Sequence, residues 1–595
     1  MRTSSDRAIT NHCVQGGASV ASATRMQSKL KTQTSPIRVG LVSLGCAKNL
    51  VDAEIMLGAL LKNGIEITND PSQADALIVN TCSFIDSAQE ESVDAIIESA
   101  HERDRERPHQ GLIVSGCMPQ RFREELPTLL PEVDAFMGID QVAQAAELVR
   151  KAIALRKSKL ATAAPGSKAR TSPRAKQVKS QVAALDRSRP DTHHHAHHDE
   201  PSSASAGKAS AKSEQAKSAA APPTGPSVDV TARPTYIPDY NTPRFRLTPK
   251  HFAYVKIAEG CNHPCSFCII PRMRGSHRSR SQKDIVREAK NLIAEGVREL
   301  NLISQDSTYY GLDLRPNHSR AISSPEKFST ASKSLAADAT TLSSLLRELN
   351  DLKGNFWIRL LYTHPAHWTD ELIKTIAECP KVARYIDMPL QHIHDAMLER
   401  MRRETSSEYI EQLIQRIRAG VPGVSIRTTF IVGFPGETEA YFQRLLDFME
   451  ATRFERLGVF TYSREDGTRA GAMEQQVSDR TKMKRRERAM ALQHRISQEL
   501  CEARVGQEMK VLVEGTASAE TLQQARVSSW EHGLIRQESD AAMQLEGGYW
   551  VARGEADAPD IDGRVYIKGK LKPGAFAQVK VVGHTDYDLV ARPVS

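Results

Sequence analysis

The first ordered pattern is "IRVGLVSLG", a short apolar run beginning at Ile37, followed by "DAEIMLGALLKNG", whose apolar positions recur at helical spacing. The couple returns as "ALIVNT" with "SAQEESVDAIIESAHE", and again as "LIVSG" with "QRFREELPTLL". Apolar strands alternating with amphipathic helices predict a parallel α/β domain, Rossmann- or flavodoxin-like, over residues 37–154. From residue 245 the alternation resumes and runs longer. "AYVKIAE", "VRELNLIS", "FWIRLLYT", "RYIDMP", "SIRTTFIVG" and "RLGVFTYS" are its strands, with helices such as "SQKDIVREAKNLIAEG" and "TEAYFQRLLDFMEAT" between them. Six βα units predict a partial (β/α)6 barrel over 245–480, open at one side. A Ser/Ala-rich stretch at 314–340 interrupts the second unit and reads as a surface insertion. A basic helix, "DRTKMKRRERAMALQHRISQEL", connects the barrel to the last region over about 481–504, its charges read as a solvated face. From 505 to 595, short strands such as "MKVLVEG", "GRVYIKG" and "FAQVKVVGHT" with Gly and Pro turns predict a small antiparallel, OB-like β-barrel, interrupted by an insertion at about 516–548.

Composition adds a boundary. Residues 155–244 are rich in Ala, Ser, Lys and Pro, lack aromatics until Tyr236, and cannot bury enough apolar surface to order themselves; they predict a linker. Its "HHHAHH", His193–His198, has no Cys or carboxylate framework around it and reads as a solvated patch. Between Lys151 and Pro234 there are 15 basic and 6 acidic residues. That surplus of nine exceeds the +8 of the whole chain, leaving −1 for everything else, so the basic balance belongs to this one segment, and RNA contact is not the favoured reading. Residues 1–36 are polar and read as a disordered extension. No run approaches the roughly 18 apolar residues of a membrane span, and no secretory core is present, which predicts a cytoplasmic protein without a membrane partner.

Chemistry concentrates in six of the nine cysteines. Cys46, Cys82 and Cys117 each follow one of the first three strands, and the carboxyl ends of parallel strands share one edge, where ligands bind. Cys261, Cys265 and Cys268 follow the first barrel strand in "EGCNHPCSFCIIPRMRG". Three thiolates this close can share an iron–sulfur cluster, one corner iron each. A zinc site is the alternative, but structural zinc wants a fourth ligand and catalytic zinc recruits His and carboxylate; His263 falls between cysteines that must point inward together. A non-catalytic two-cluster electron carrier would need a fourth cysteine for each trio, and none is evident.

The barrel loop resembles the radical S-adenosylmethionine signature CxxxCxΦC, with Phe267 as the aromatic. That resemblance implies a [4Fe-4S] cluster on Cys261, Cys265 and Cys268 whose fourth iron binds S-adenosylmethionine, the source of a 5′-deoxyadenosyl radical. With the N-terminal cysteines and the C-terminal module, the chain resembles the methylthiotransferase family over about 38–154 and 245–595. "SLGCAKNLVDAE", "KIAEGCNHPCSFCIIPRMRG", "DMPLQHIHDAMLERMRR", "TTFIVGFPGET" and "GEADAPDIDGRVYIKG" carry the likeness and look most like the RimO-type branch, which modifies an aspartate of the twelfth small-subunit ribosomal protein. The resemblance implies that Cys46, Cys82 and Cys117 hold a second [4Fe-4S] cluster, on which sulfur is carried, and that the last module is a TRAM domain. It also implies an electron donor and a sulfur source as partners, and two uses of S-adenosylmethionine, as methyl donor and as radical source. Gln305 and Asp306, at the end of the second barrel strand, are candidates to meet the methionine amine, and Gln391 the adenosyl ribose. Gly433, in "GFPGE", is a candidate for close ligand approach. Arg272 and Arg274 either meet a carboxylate of cofactor or substrate or lie on the surface.

A tRNA-modifying, MiaB-type branch is the competing reading. Residues 505–595 contain 10 basic and 13 acidic residues, a net −3, which suits a basic ribosomal protein better than RNA phosphates. "GCAKN" also looks like the protein-modifying branch, because the tRNA branch typically has Gln-Met after this cysteine.

Overall fold

The N-terminal apolar runs form a six-stranded parallel sheet in the computed structural model, which describes residues 35–162, 178–182, 225–315, 324–336, 338–465, 467–517 and 548–594. The strands are β1 (Arg38–Ser43), β2 (Glu66–Ile67), β3 (Ala76–Thr81), β4 (Gly111–Gly116), β5 (Ala135–Met137) and β6 (Ser227–Asp229), in the order β2-β1-β3-β4-β5-β6. β3 and β4 are buried along their whole length, as strands covered by helices on both faces must be. Helix α1 (Ala47–Lys62) follows β1, α2 (Asp86–Glu106) follows β3, and α3 (Cys117–Arg121) follows β4. The third expected helix is broken: α3 stops at Arg121 and a separate turn runs Leu126–Leu129, with Pro127 at its start, where a missing amide costs nothing.

The linker expectation for 155–244 needs correction at both ends. The helix beginning at Ala145 continues to Thr162, and Ser227–Asp229 is the edge strand β6, paired in parallel with β5. Past β6 the chain is anchored by Arg244, whose Nε donates to Glu54 on α1 at 2.8 Å. Residues 163–177 and 183–224, with the His-rich patch, lie outside the described residues, as do 1–34.

The central strands are β7 (Phe252–Lys256), β8 (Ala258–Glu259), β9 (Arg278–Ser279), β10 (Glu299–Ile303), β11 (Trp357–Leu360), β12 (Val382–Asp387), β13 (Ser425–Val432) and β14 (Arg456–Thr461). Six of them form a parallel sheet in the order β14-β13-β12-β11-β10-β7, which does not close on itself; β8 and β9 make a separate two-stranded ladder. Alternation divides each strand. Ala253, Val255, Leu300, Leu302, Ile358 and Leu360 join the helices in the main apolar core. The intervening Lys256, Glu299, Arg359, Asp387 and Arg427 are buried charges. Each finds a partner, as a buried charge must. Glu299, for example, accepts from Arg359 at 2.6 Å and from Arg553 of the C-terminal module at 2.5 Å.

The 314–340 insertion is less superficial than expected. Its helix Pro325–Lys333 lays Phe328 on His367, ring centroids 4.6 Å apart, and adds Phe328 and Ala331 to a small core with Tyr309 and Leu312. The connecting helix, Asp479–Glu502, also departs from a wholly solvated face: Arg485 is buried and donates to Glu437 at 2.6 Å.

The last domain is a closed barrel of β15 (Glu508–Ala517), β16 (Tyr549–Gly554), β17 (Val565–Lys568), β18 (Phe576–His584) and β19 (Leu589–Pro593), ordered β15-β16-β17-β19-β18. Four pairs are antiparallel and β17–β19 is parallel. Five strands around a ring cannot all alternate in direction, so closure itself demands one parallel pair. Residues 518–547, within the expected insertion, lie outside the described residues. Among the described residues, no helix is long and apolar enough to cross a membrane.

Candidate active site between two cysteine trios

Parallel register brings the three N-terminal cysteines to one edge. Ser43 pairs with Asn80 and Thr81 with Gly116, so Cys46, Cys82 and Cys117 leave the sheet together; Cys46 caps α1 and Cys117 opens α3. Asn49, on the first turn of α1, ties the three loops. Its Nδ2 donates to Leu44 O at 3.3 Å and to Thr81 O at 2.9 Å, while its Oδ1 accepts from the Cys117 thiol at 3.5 Å.

The second trio is shaped by Gly260. Its φ of +83° is left-handed, and a Cβ there would sit 2.1 Å from Ser276 O, so only glycine lets the chain turn from β8 into the loop. Cys261 N then donates to Gly275 O at 3.1 Å and Cys268 N to Cys265 O at 3.2 Å. Arg403 Nη1 donates to Cys265 Sγ at 3.5 Å. Burial, with the neighbouring Cys265, pushes the Cys268 thiol up to about 12. Cys261 is pushed well above the ordinary range by burial and by Cys268. Such thiols ionise together only when a metal takes up their charge.

Asp306, the second candidate to meet the methionine amine, is engaged by side chains of the protein. It is 2% exposed, and its Oδ2 lies 2.7 Å from His263 Nε2 and 2.8 Å from His367 Nδ1, while Oδ1 accepts from Thr308. Burial opposes its ionisation, but His367 and His263 hold the carboxyl well below the usual range. Nitrogens of His263, His364 and His367 lie within 4.8 Å of one another, as metal ligands would. Two of those rings bond Asp306, however, and His364 Nδ1 accepts the Ala366 amide at 3.2 Å while its ring stacks on His263 at 3.6 Å. The set is a hydrogen-bonded stack that fixes the loop between Cys261 and Cys265.

Gly433 N–H donates to Glu437 at 2.5 Å, and a Cβ would stand 2.3 Å from Lys482 Cγ, so the glycine makes room for the connecting helix. Gln305 Nε2 donates to Glu259 Oε1 at 2.7 Å, and its Oε1 is buried without a hydrogen-bond partner. Gln391 is half-buried at the rim, with a left-handed φ of 73° held by its N–H to Thr429 O and its carbonyl from Ile431 N.

The two arginines after the loop part company. Arg272 is exposed beside Gly467, whereas Arg274 is 3% exposed and crosses to the N-terminal domain. Its guanidinium donates to Glu259 at 3.0 Å, to Asp52 at 3.1 Å, to Asn49 at 2.6 Å and to Cys117 Sγ at 3.5 Å. Lys256 completes the network, bonding Asp52 and Glu259 at 2.6 Å each. Burial would raise the Glu259 carboxyl, but Arg274 and Lys256 outweigh it and hold it low. Ile269 and Met273 of the barrel loop pack on Cys117 itself. The two trios therefore face one interface. Asn49, Asp52, Lys256 and Glu259 escaped the sequence reading, although polar residues at positions 49 and 52 share the α1 face that starts at Cys46, and two charges interrupt an apolar strand.

The sequence matches the models of the uncharacterized protein family UPF0004 over residues 38–138, the Radical SAM superfamily over 255–449 and the TRAM domain over 540–594. Ribosomal protein uS12 methylthiotransferase RimO of Opitutus terrae is 48% identical over 94% of this chain and 97% of its own length. The chain belongs to the RimO family. RimO proteins of Akkermansia muciniphila and Pelotomaculum thermopropionicum are 44% and 39% identical, over 93% and 94% of this chain and 100% and 99% of their own. As a RimO-family member the chain is a radical S-adenosylmethionine methylthiotransferase with [4Fe-4S] clusters and S-adenosylmethionine as cofactors. The residues present fit those groups. Each trio offers three soft thiolates, the buried Gln305 Oε1 is an acceptor awaiting a donor, and the other described cysteines, Cys379 and Cys501, are buried in separate cores.

Proposed function

We propose that this chain places a methylthio group on the β-carbon of an aspartate of ribosomal protein uS12, with Cys46, Cys82 and Cys117 holding one [4Fe-4S] cluster and Cys261, Cys265 and Cys268 the other. The observation that carries the reading is the juxtaposition of two three-thiol sets across one domain interface, with Arg274 of the barrel loop bonded to Cys117. The bound groups supply hydrogen abstraction at the barrel trio and sulfur transfer at the N-terminal trio.

The chain's own residues bind, orient and exclude water. Phe267 meets Phe434 edge-on at 6.4 Å, within an apolar cluster that includes Met397 and Met401 and shields one side of the barrel loop. Gln305, held by Glu259, presents the acceptor that the methionine ammonium would satisfy. Gln391 takes the adenosyl side, its backbone fixed by two hydrogen bonds to β13.

Sulfur and electrons are consumed in such a reaction, so a sulfur source and an electron donor are its further partners. A basic ribosomal protein suits the acidic balance of the C-terminal region, and the substrate places the enzyme in the cytoplasm. Reconstituted enzyme, incubated anaerobically with uS12, S-adenosylmethionine, sulfide and a strong reductant, should give a uS12 peptide carrying methylthio-aspartate by mass spectrometry. An unchanged peptide with fully loaded enzyme would refute the reading.

A further inference from the structure

We propose that Arg274, a residue of the barrel loop, sets the reduction potential of the iron–sulfur cluster in the other domain; the inference rests on Cys117 being a ligand of that cluster. Arg274 Nη2 lies 3.5 Å from Cys117 Sγ and 2.6 Å from Asn49 Oδ1. The contact is dry: Arg274 is 3% exposed, and Ile269 and Met273 cover Cys117. The potential of an iron–sulfur cluster follows its net charge, its exposure and the hydrogen bonds to its sulfurs. A cation donating to a ligand sulfur favours the reduced form, which carries one more negative charge, and burial strengthens that preference.

Neighbouring charges leave the guanidinium able to act. Asp52 and Glu259 would neutralise it, but Lys256 bonds both carboxylates at 2.6 Å, so two cations share two anions and the group of four is neutral before the thiolate is counted. Of the two cations, Arg274 is the one that reaches the sulfur. Its place in the sequence makes the contact a link between sites. Gly275, the next residue, accepts the Cys261 amide through its carbonyl at 3.1 Å, so a shift of the barrel loop moves a positive charge relative to the N-terminal cluster. The electron affinity of one site then depends on the order of the other.

The test is an EPR-monitored redox titration of the full-length chain in which Cys261, Cys265 and Cys268 are all replaced by Ala, so that only the N-terminal cluster reports. Arg274→Gln should lower its reduction equilibrium about tenfold, a shift of ~59 mV to more negative potential for a one-electron couple. Asp52→Asn, which removes a negative charge from the same guanidinium, should shift it in the opposite direction. A structural role alone would not give opposite signs. Potentials that stay put, or move in the same direction, would overturn the proposal while iron remains bound. If Arg274→Gln takes up no iron, Arg274→Lys, which keeps the charge, should load and stay within about twofold of the parent equilibrium, and the sign of Asp52→Asn decides. Should Cys117→Ala keep its iron and EPR signal in this background, the ligand assignment fails, which is a distinct result.

Discussion

Arg121 of the N-terminal domain and Glu465, beyond the last barrel strand, form an ion pair at 2.8 Å with side chains 3% and 4% exposed. Arg121 ends the short helix that Cys117 begins, and its Nη1 donates to the carbonyl of Ser83, the residue after Cys82, at 2.9 Å. Five residues after Glu465, Ala470 N donates at 2.8 Å to the carbonyl of Ser266, which lies between Cys265 and Cys268. One segment thus reaches the barrel loop directly and the N-terminal trio through Arg121. Glu465→Gln removes the negative charge opposite a buried guanidinium and should cost about 3–5 kcal/mol in chemical denaturation. Adding Arg121→Met should recover part of the loss; additive losses would show that the pair does not couple the domains.

Gly260→Ala tests the turn into the barrel loop. The added Cβ meets Ser276 O, and the left-handed backbone adds strain of about 1–3 kcal/mol. Iron analysis should show loss of the barrel cluster, about four irons, with the N-terminal cluster retained. Full iron content would mean that the loop forms without the turn.

Replacing Cys46, Cys82 and Cys117 by Ala should remove the complementary four irons, about half the total, and leave the radical site able to cleave S-adenosylmethionine without modifying uS12. Retention of both clusters would contradict the assignment.

Acid should loosen the C-terminal module through Glu514. Burial would raise this carboxyl, but Arg553 and a hydrogen bond from His251 hold it down to about 2, against an ordinary value of 4.5. Between those values the unfolded chain binds a proton that the folded one refuses, so stability is present above about pH 4.5 and is lost as pH falls towards 2. Melting curves of the parent should drop more steeply across this window than those of Glu514→Gln. Equal slopes would show that Glu514 carries no such share.

The cysteine trios were legible because each sits where a strand ends, a position that alternation alone marks. Strands β2, β5 and β6 were not, since runs of two and three residues are too short to display a period, and β6 is recruited by the open edge of β5. Asp306 stands out in the sequence only as a polar residue at a strand end; its partners His263 and His367 stand 43 and 61 residues away, and only the folded barrel brings them to it. Arg272 and Arg274 are two positions apart on one short helix, and no local signal says which is buried. Packing of the barrel loop on α1 and α3 decides that, and with it which arginine reaches Cys117.

The central claim, aspartate methylthiolation of uS12, is tested most directly by mass spectrometry of ribosomal protein uS12 and bulk tRNA from cells lacking this chain. The account predicts uS12 without methylthio-aspartate and tRNA with its methylthioadenosine intact. Fully modified uS12 together with loss of the methylthioadenosine would contradict it.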